Sequence, residues 1–168
     1  MGVARFAKMQ HAADTHDWTR FISMQDQYSL LAREEEREMF GLLADQSVGS
    51  MPWSPVAAGK LTRPWGQTSS TRSQANPSVD PWGRPLWAET DGAIVDAVQR
   101  IAGERGVSMA TVAMAWVLKH PVVDAPIVGA TKPHHLTDAA AALELQLSDE
   151  EIAALEEHYV PRQPTYFT

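Results

Sequence analysis

The stretch PIVGATKPHHLTD, residues 126–138, contains the transition that decides the fold: a short apolar run ends at Gly129 and the chain turns directly into a helix. Thr131 stands where it could cap that helix, and Pro133 suits its first turn, where no N–H donor is needed. The free N–H groups of such a helix start, with Lys132 beside them, make an anion site physically reasonable. From these residues alone, a solvated lysine beside a routine turn is an equally good interpretation.

A short strand followed by a helix is predicted three times along the chain. In order, the predicted elements are a helix over 4–16, a strand over 21–24, a helix over 33–44, a strand over 48–53, a helix beginning near Ile94, a helix capped by Ser108, a strand over 125–128, a helix ending near Leu143 and a last helix capped by Ser148. Strands separated by helices imply parallel βαβ units and an α/β fold. Because both faces of a parallel sheet must be covered, a sheet of only three strands indicates part of a larger α/β structure.

Apolar residues at helical spacing predict which faces of these helices are buried. The predicted faces are Phe6, Met9 and Ala13 on the first helix, Met39, Leu42 and Leu43 on the second, Ile94, Val95, Val98, Ile101 and Ala102 on the third, and Val112, Ala113, Trp116 and Val117 on the fourth. This periodicity is the main signal for an amphipathic helix. The charged run from Arg33 to Glu38 is interpreted as a solvated helix face.

Composition limits the class of protein. At 168 residues the chain is long enough for one domain with its own core. Its net charge of −7 argues against broad binding to nucleic acid or to an anionic membrane. No apolar run approaches the roughly 18 residues that a spanning helix needs, and the first residues lack the features of a signal peptide. A cytoplasmic protein is the default expectation.

Residues 59–88 form a long segment rich in Gly, Pro, Ser and Trp, with no sustained period. Such a loop is unusual inside a compact domain and is usually functional or disordered. Trp65, Trp82 and Trp87 are candidates for the aromatic wall of a substrate loop, and disorder is the open alternative.

Two further segments are candidate ligand sites because they follow predicted strands. At the end of the first strand, Gln25 could bond an amide and Tyr28 could stack on a ring, although a packed tyrosine explains the pattern as well. After the second strand, the small residues of 54–62 would let backbone N–H groups approach a pyrophosphate, although the segment is neither a Walker motif nor GxGxxG. Neither the His11 and His16 spacing nor the adjacent His134 and His135 makes a good metal pair.

Taken in order, four segments resemble the aldo-keto reductases: MQDQYSLLAREEEREMF (24–40), WSPVAAGKLTR (53–63), AWVLKHP (115–121) and PIVGATKPHHL (126–136). The resemblance extends from about residue 4 to 158 and is strongest to the branch of the potassium-channel β-subunits and their bacterial oxidoreductase relatives. It implies an α/β fold that is part of a (β/α)8 TIM barrel, namely strands six to eight with their helices. It also implies NADP(H) bound across the C-terminal face.

The resemblance assigns roles to particular residues. It implies that Tyr28 stacks on the nicotinamide and that Gln25 lies near the carboxamide. Seven residues would wrap the pyrophosphate: Ser54, Pro55, Val56, Ala58, Gly59, Lys60 and Leu61. A second set would hold the rest of the cofactor: Arg72 from the long loop, Gly129, Ala130, Thr131 and Lys132 around the 2′-phosphate, and His135 where the family commonly has glutamine. Ala139 replaces an asparagine that often contacts the adenine.

The catalytic tetrad of the family, aspartate, tyrosine, lysine and histidine, comes from the first four strand regions and is absent here. The resemblance therefore implies the cofactor-holding C-terminal half of an NADP(H)-dependent reductase of aldehydes or ketones, truncated and inactive alone. The expected partners are the nicotinamide cofactor and a missing N-terminal half. The alternative is a non-catalytic protein that binds nucleotide or associates with itself.

Overall fold

Residues 2–67 and 87–162 are described in the computed structural model. This part of the chain contains six α-helices, two 3-10 helices and one small parallel sheet. The elements are α1 (Val3–Thr15), β1 (Ser23–Met24), a first 3-10 helix (Glu34–Arg37), α2 (Met39–Asp45), β2 (Gly49–Ser50), a second 3-10 helix (Ala57–Thr62), α3 (Asp91–Arg105), α4 (Met109–Leu118), α5 (Pro133–Glu144) and α6 (Asp149–Glu156). None of these helices is long and apolar enough to cross a membrane.

The sheet has the predicted parallel direction but is shorter than expected. β1 and β2 pair over two residues each, inside the predicted strands 21–24 and 48–53. The predicted third strand contributes isolated parallel bridges instead of a continuous strand: Val123 pairs with Ser50 and Ile127 pairs with Trp53. The α/β class is thus confirmed at the level of helices over a small parallel sheet.

Proline explains why the second and third parallel segments pair through isolated bridges and not through a continuous ladder. Pro52 lies inside the predicted second strand and Pro126 inside the predicted third strand. Proline has no N–H to donate, so each residue interrupts a ladder of strand hydrogen bonds. The chain nevertheless keeps the parallel course beyond Pro52, because the Ile127 N–H donates to the Pro52 carbonyl oxygen at 2.8 Å.

Most of the predicted helices and their caps are confirmed. Ser108 caps α4 by accepting a hydrogen bond from the Thr111 N–H, and Ser148 forms a capping box with Glu151. The predicted stripes of α3 and α4 are buried and supply much of the core, with Ile94, Val95, Val98 and Ile101 facing Val112, Ala113, Trp116 and Val117 in one cluster.

On α1 the predicted buried face is correct for Phe6 and Ala13 but wrong for Met9, which is exposed. The neighbouring Gln10 is buried in its place. Its side-chain amide donates to the Phe21 carbonyl oxygen and accepts from the Phe21 N–H, both at 3.0 Å. The Gln10 side chain thereby satisfies the backbone N–H and carbonyl groups of Phe21, as a neighbouring strand would. These two bonds explain why the polar Gln10 is buried while the apolar Met9 is exposed.

The predicted helix over 33–44 is broken in two. A 3-10 turn covers Glu34–Arg37, and α2 begins only at Met39. The interpretation of this charged run as a solvated face is wrong for its first half, since the Arg33 and Glu34 side chains are only 15% and 13% exposed. Tertiary hydrogen bonds hold these side chains inward, and the backbone departs from the α-helix to allow it.

Arg33 is the centre of this arrangement. Its guanidinium lies 5.3 Å from the ring centroid of Trp116 and 5.2 Å from that of Tyr159, which is within cation–π range. It also donates to the carboxylates of Glu36, at 2.8 Å, and Glu156, at 3.0 Å. One side chain therefore joins the first 3-10 helix, α4, α6 and the segment that follows α6.

We expect Arg33→Met to lower the free energy of unfolding by about 2–4 kcal/mol, because the half-buried Glu36 loses its cation and Glu156 is left with Lys119. The matched control is Arg100→Met on α3, whose ion pair with Glu104 is more than half exposed and should change stability by less than about 0.5 kcal/mol. Urea denaturation of both variants measures the difference. Equal losses would contradict a central role for Arg33.

Candidate functional site

The carboxyl ends of the three parallel segments lie side by side. Gln27 pairs with Trp53, and Trp53 pairs with Ile127. The Trp53 N–H also donates to the Asp26 carbonyl oxygen at 2.8 Å. Ligands of parallel α/β proteins bind outside this end of the strands, where the loops leave the sheet. The three segments predicted from sequence to hold a ligand therefore begin from one edge of the sheet.

Gln25 and Tyr28 have different surroundings at this edge. Gln25 is exposed, as a residue that meets a ligand must be. Tyr28 is fully buried, and its ring packs against Phe40 at 4.8 Å and Trp116 at 5.1 Å between centroids. Its hydroxyl donates to Glu36 Oε1 at 2.6 Å. Burial and this bond raise the pKa of Tyr28 above its usual range.

The stacking role predicted for Tyr28 does not fit this structure, because no face of its ring is open to a nicotinamide. The packed-tyrosine interpretation fits instead. Trp53 is a candidate aromatic residue at this edge that was not predicted from the sequence. It is half-buried and lies at the carboxyl end of the second parallel segment, directly before Ser54. Its position as the last residue before a small-residue loop was the available signal.

The loop from Ser54 to Leu61 has a strained backbone. Four of its residues have positive φ angles: Ser54 (60°), Ala57 (49°), Ala58 (52°) and Gly59 (89°). Only glycine adopts this region without steric cost, so three non-glycine residues there mark a shape imposed by the surrounding structure. The buried Pro55 and Leu61 anchor the loop at both ends, while Val56 and Lys60 are half-buried.

Much of the predicted N–H cradle is already engaged within this loop. The Ala57 N–H donates to the Ser54 carbonyl oxygen at 2.9 Å, the Ala58 N–H to Ser54 Oγ at 3.0 Å, and the Gly59 N–H to the Val56 carbonyl oxygen at 2.9 Å. In this conformation these groups fix the turn, so the loop offers a preformed shape more than a set of free donors.

Lys60 connects the two described ends of the long segment 59–88. Its ammonium lies 5.5 Å from the Trp65 ring centroid and 5.6 Å from that of Trp87. Trp65 in turn packs over Gly92, where an added Cβ would stand only 3.1 Å from the indole. The start of the segment is not structureless, since its first four residues belong to the 3-10 helix that ends at Thr62. Arg72 and Trp82 lie outside the described residues.

The start of α5 is open, although its cap differs from the prediction. Lys132, and not Thr131, is the N-cap, with no side-chain capping bond, and Pro133 occupies the first turn as predicted. The Thr131 N–H donates to His135 Nδ1 at 3.2 Å. Gly129, Ala130, Thr131 and Lys132 are all exposed. A lysine beside an uncapped start of a twelve-residue helix suits an anion such as a phosphate.

Asp26 is a second residue that the sequence analysis passed over. It is 4% exposed, and its Oδ1 accepts a 2.8 Å hydrogen bond from Ser50 Oγ. Its Oδ2 is buried and has no hydrogen-bond partner in the described part of the chain. Burial raises the pKa of Asp26 despite the Ser50 bond. Burial, and then the negative charge of Asp26, raises the pKa of Glu35 to about 6.

The raised pKa of Glu35 predicts a pH dependence of stability. Because the folded state favours the protonated form, its contribution is complete below pH 4.5 and is lost as the pH rises through about 6. Between those values the melting temperature of the wild type should fall relative to that of Glu35→Gln. Glu104→Gln on α3, which is exposed, is the control. A constant difference between wild type and Glu35→Gln from pH 4 to 7 would contradict the assignment.

Comparison with known proteins supports the resemblance seen in the motifs. The model of the aldo/keto reductase family matches residues 2–160. Versiconal hemiacetal acetate reductase of Aspergillus parasiticus is 43% identical over 96% of this chain and 47% of its own length. Aldo-keto reductase AMT2 of Alternaria alternata is 40% identical over 98% of this chain and 43% of its own length. The chain spans about half the length of the curated relatives it matches, and it belongs to the aldo/keto reductase family.

Proposed function

We propose that the chain is the C-terminal, cofactor-holding part of an NADP(H)-dependent reductase of aldehydes or ketones. The observation that carries the proposal is the shared edge at Gln27, Trp53 and Ile127, from which three predicted ligand segments begin. Family members generally use a nicotinamide cofactor. A partial (β/α)8 barrel, with these segments as strands six to eight, is the architecture that we propose for the longer protein.

The residues at this edge fit the cofactor best at its phosphate end. Lys132 and the uncapped start of α5 match the charge of a 2′-phosphate. In this proposal the exposed Gln25 orients the carboxamide, and the half-buried Trp53 covers one face of the nicotinamide. The loop from Ser54 to Leu61 would follow the pyrophosphate through its shape, because several of its N–H groups bond internally. When bound, NADPH would supply the hydride for carbonyl reduction.

We propose that the proton donor for this reaction lies outside the described residues. A tyrosine that acts as a general acid near neutral pH needs its pKa lowered by a neighbouring cation. Tyr28 has the opposite environment, since burial and its bond to Glu36 raise the pKa. This observation supports the proposal that the chain alone is inactive and that the acid–base residues belong to a missing N-terminal part.

The direct test joins the chain to the part of versiconal hemiacetal acetate reductase that lies outside the match, either as a fusion or by co-expression. We expect no NADPH-dependent reduction of an aromatic aldehyde by the chain alone and measurable reduction by the joined protein. The absorbance of NADPH at a fixed aldehyde concentration gives the rate. Robust activity of the chain alone would contradict the division of roles.

In the joined protein, Lys132→Met should weaken NADPH binding about tenfold or more, because it removes a charge-assisted contact to the 2′-phosphate. NADH, which lacks that phosphate, should bind with unchanged affinity. Lys8→Met on the exposed side of α1 is the control for net charge. Titration monitored by tryptophan fluorescence measures all three proteins. Equal weakening of NADPH binding and NADH binding would contradict a contact between Lys132 and the 2′-phosphate.

Self-association is a second candidate function, favoured by the apolar surface before β1. Phe21 and Ile22 are 45% and 80% exposed, and Trp18 nearby is 65% exposed. Large apolar side chains beside an open strand edge tend to pair with another chain. Sedimentation of the chain across a range of concentrations tests this: a concentration-dependent dimer supports it, and a persistent monomer excludes it.

A further inference from the structure

The free oxygen of Asp26 is the buried polar atom that the described fold leaves unexplained. Asp26 Oδ1 accepts from Ser50 Oγ, whereas Oδ2 is shielded from solvent and has no hydrogen-bond partner among the described residues. Buried carboxylate oxygens in folded proteins are normally paired, because loss of water without a replacement bond is unfavourable. Asp26 is also close enough to Glu35 for its negative charge to raise the pKa of that side chain. Among the described residues, no donor reaches Asp26 Oδ2.

The position of Asp26 indicates the side from which a donor would come. Asp26 follows β1, which pairs with β2 on one side. On its other side no strand of the described ranges pairs with β1. The Gln10 side chain covers only the beginning of that edge, through its two bonds to Phe21. The edge beside Ser23 and Gln25 is therefore where another segment can pair.

The order of the elements along the chain indicates which segment can pair with this edge of β1. α1 leads directly into β1, so a strand preceding α1 would form a βαβ unit with β1. Such units pair in parallel through a right-handed crossover, and their strands end at the same edge of the sheet. The carboxyl end of the preceding strand would therefore lie beside Gln25 and Asp26.

We infer that Asp26 accepts a hydrogen bond from a donor at the end of a strand that precedes α1 in the longer protein, and that this bond stabilises the contact between the two parts of that protein. The inference rests on the proposed function, since it requires a longer protein. A metal ion is a poorer occupant, because no group of three His, Asp, Glu or Cys side chains in the described ranges could hold one. The donor is an N–H or O–H group.

Asp26→Asn tests the inference because it keeps the shape and can still accept from Ser50 while placing an amide N–H₂ where an acceptor is needed. The measurement is the affinity between this chain and the separately expressed remainder of versiconal hemiacetal acetate reductase. We expect Asp26→Asn to weaken assembly about tenfold or more. Asp96→Asn, an exposed change of the same kind on α3, should leave assembly unchanged.

The melting temperature of the chain alone is the second measurement. We expect Asp26→Asn to leave it unchanged or raise it, since the variant removes a buried charge that lacks a partner. Unchanged assembly of Asp26→Asn, or an equal loss of stability in the chain alone and in the assembly, would overturn the inference. An effect on self-association alone would also overturn it by assigning the donor to a second copy. If the wild-type chain fails to assemble, the proposed function fails first and the inference with it.

Discussion

The arrangement of the helices depends on one guanidinium. Arg33 lies between the rings of Trp116 and Tyr159 and bonds the carboxylates of Glu36 and Glu156. Those partners belong to four different segments, so a single side chain links parts of the chain that are more than a hundred residues apart. Arginine suits this role because its planar group stacks on aromatic rings and donates in the same plane.

The contacts of Arg33 also affect which aromatic ring is accessible at the carboxyl ends of the parallel segments. Glu36 bonds both Arg33 and the Tyr28 hydroxyl, so Tyr28 is held in the core against Trp116. The aromatic ring available at the edge is then that of Trp53. The open α5 start and the strained loop after Trp53 both follow segments that pair at this end of the sheet, through Trp53 and Ile127.

The sequence predicted those parts of the fold that depend on local chemistry. The stripes of α3 and α4 and the caps at Ser108 and Ser148 require only neighbouring residues, and all are confirmed. The break in the helix at 33–44 could not be predicted, because it follows from contacts with residues far along the chain. The burial of Gln10 instead of Met9 could not be predicted either, because it follows from the hydrogen bonds between Gln10 and the Phe21 backbone.

The candidate site was predictable in position but not in detail. The order of strand and loop indicated which segments meet at one edge, whereas the burial of Tyr28 depends on its packing against α4. The free oxygen of Asp26 had no sequence signal, since an aspartate at the end of a strand usually reaches solvent. The sequence shows prolines at positions 52 and 126. Their effect on strand pairing could not be predicted, because it depends on which backbone N–H groups donate to a neighbouring strand.

Amide hydrogen exchange of the joined protein, with and without NADPH, tests the central claim most directly. If the edge described above holds the cofactor, NADPH should slow exchange in the segment from Ser54 to Leu61 and in the segment from Gly129 to His135. Protection by NADH should be weaker in the second segment, where the 2′-phosphate is expected. Protection by NADPH confined to other parts of the protein would contradict the account.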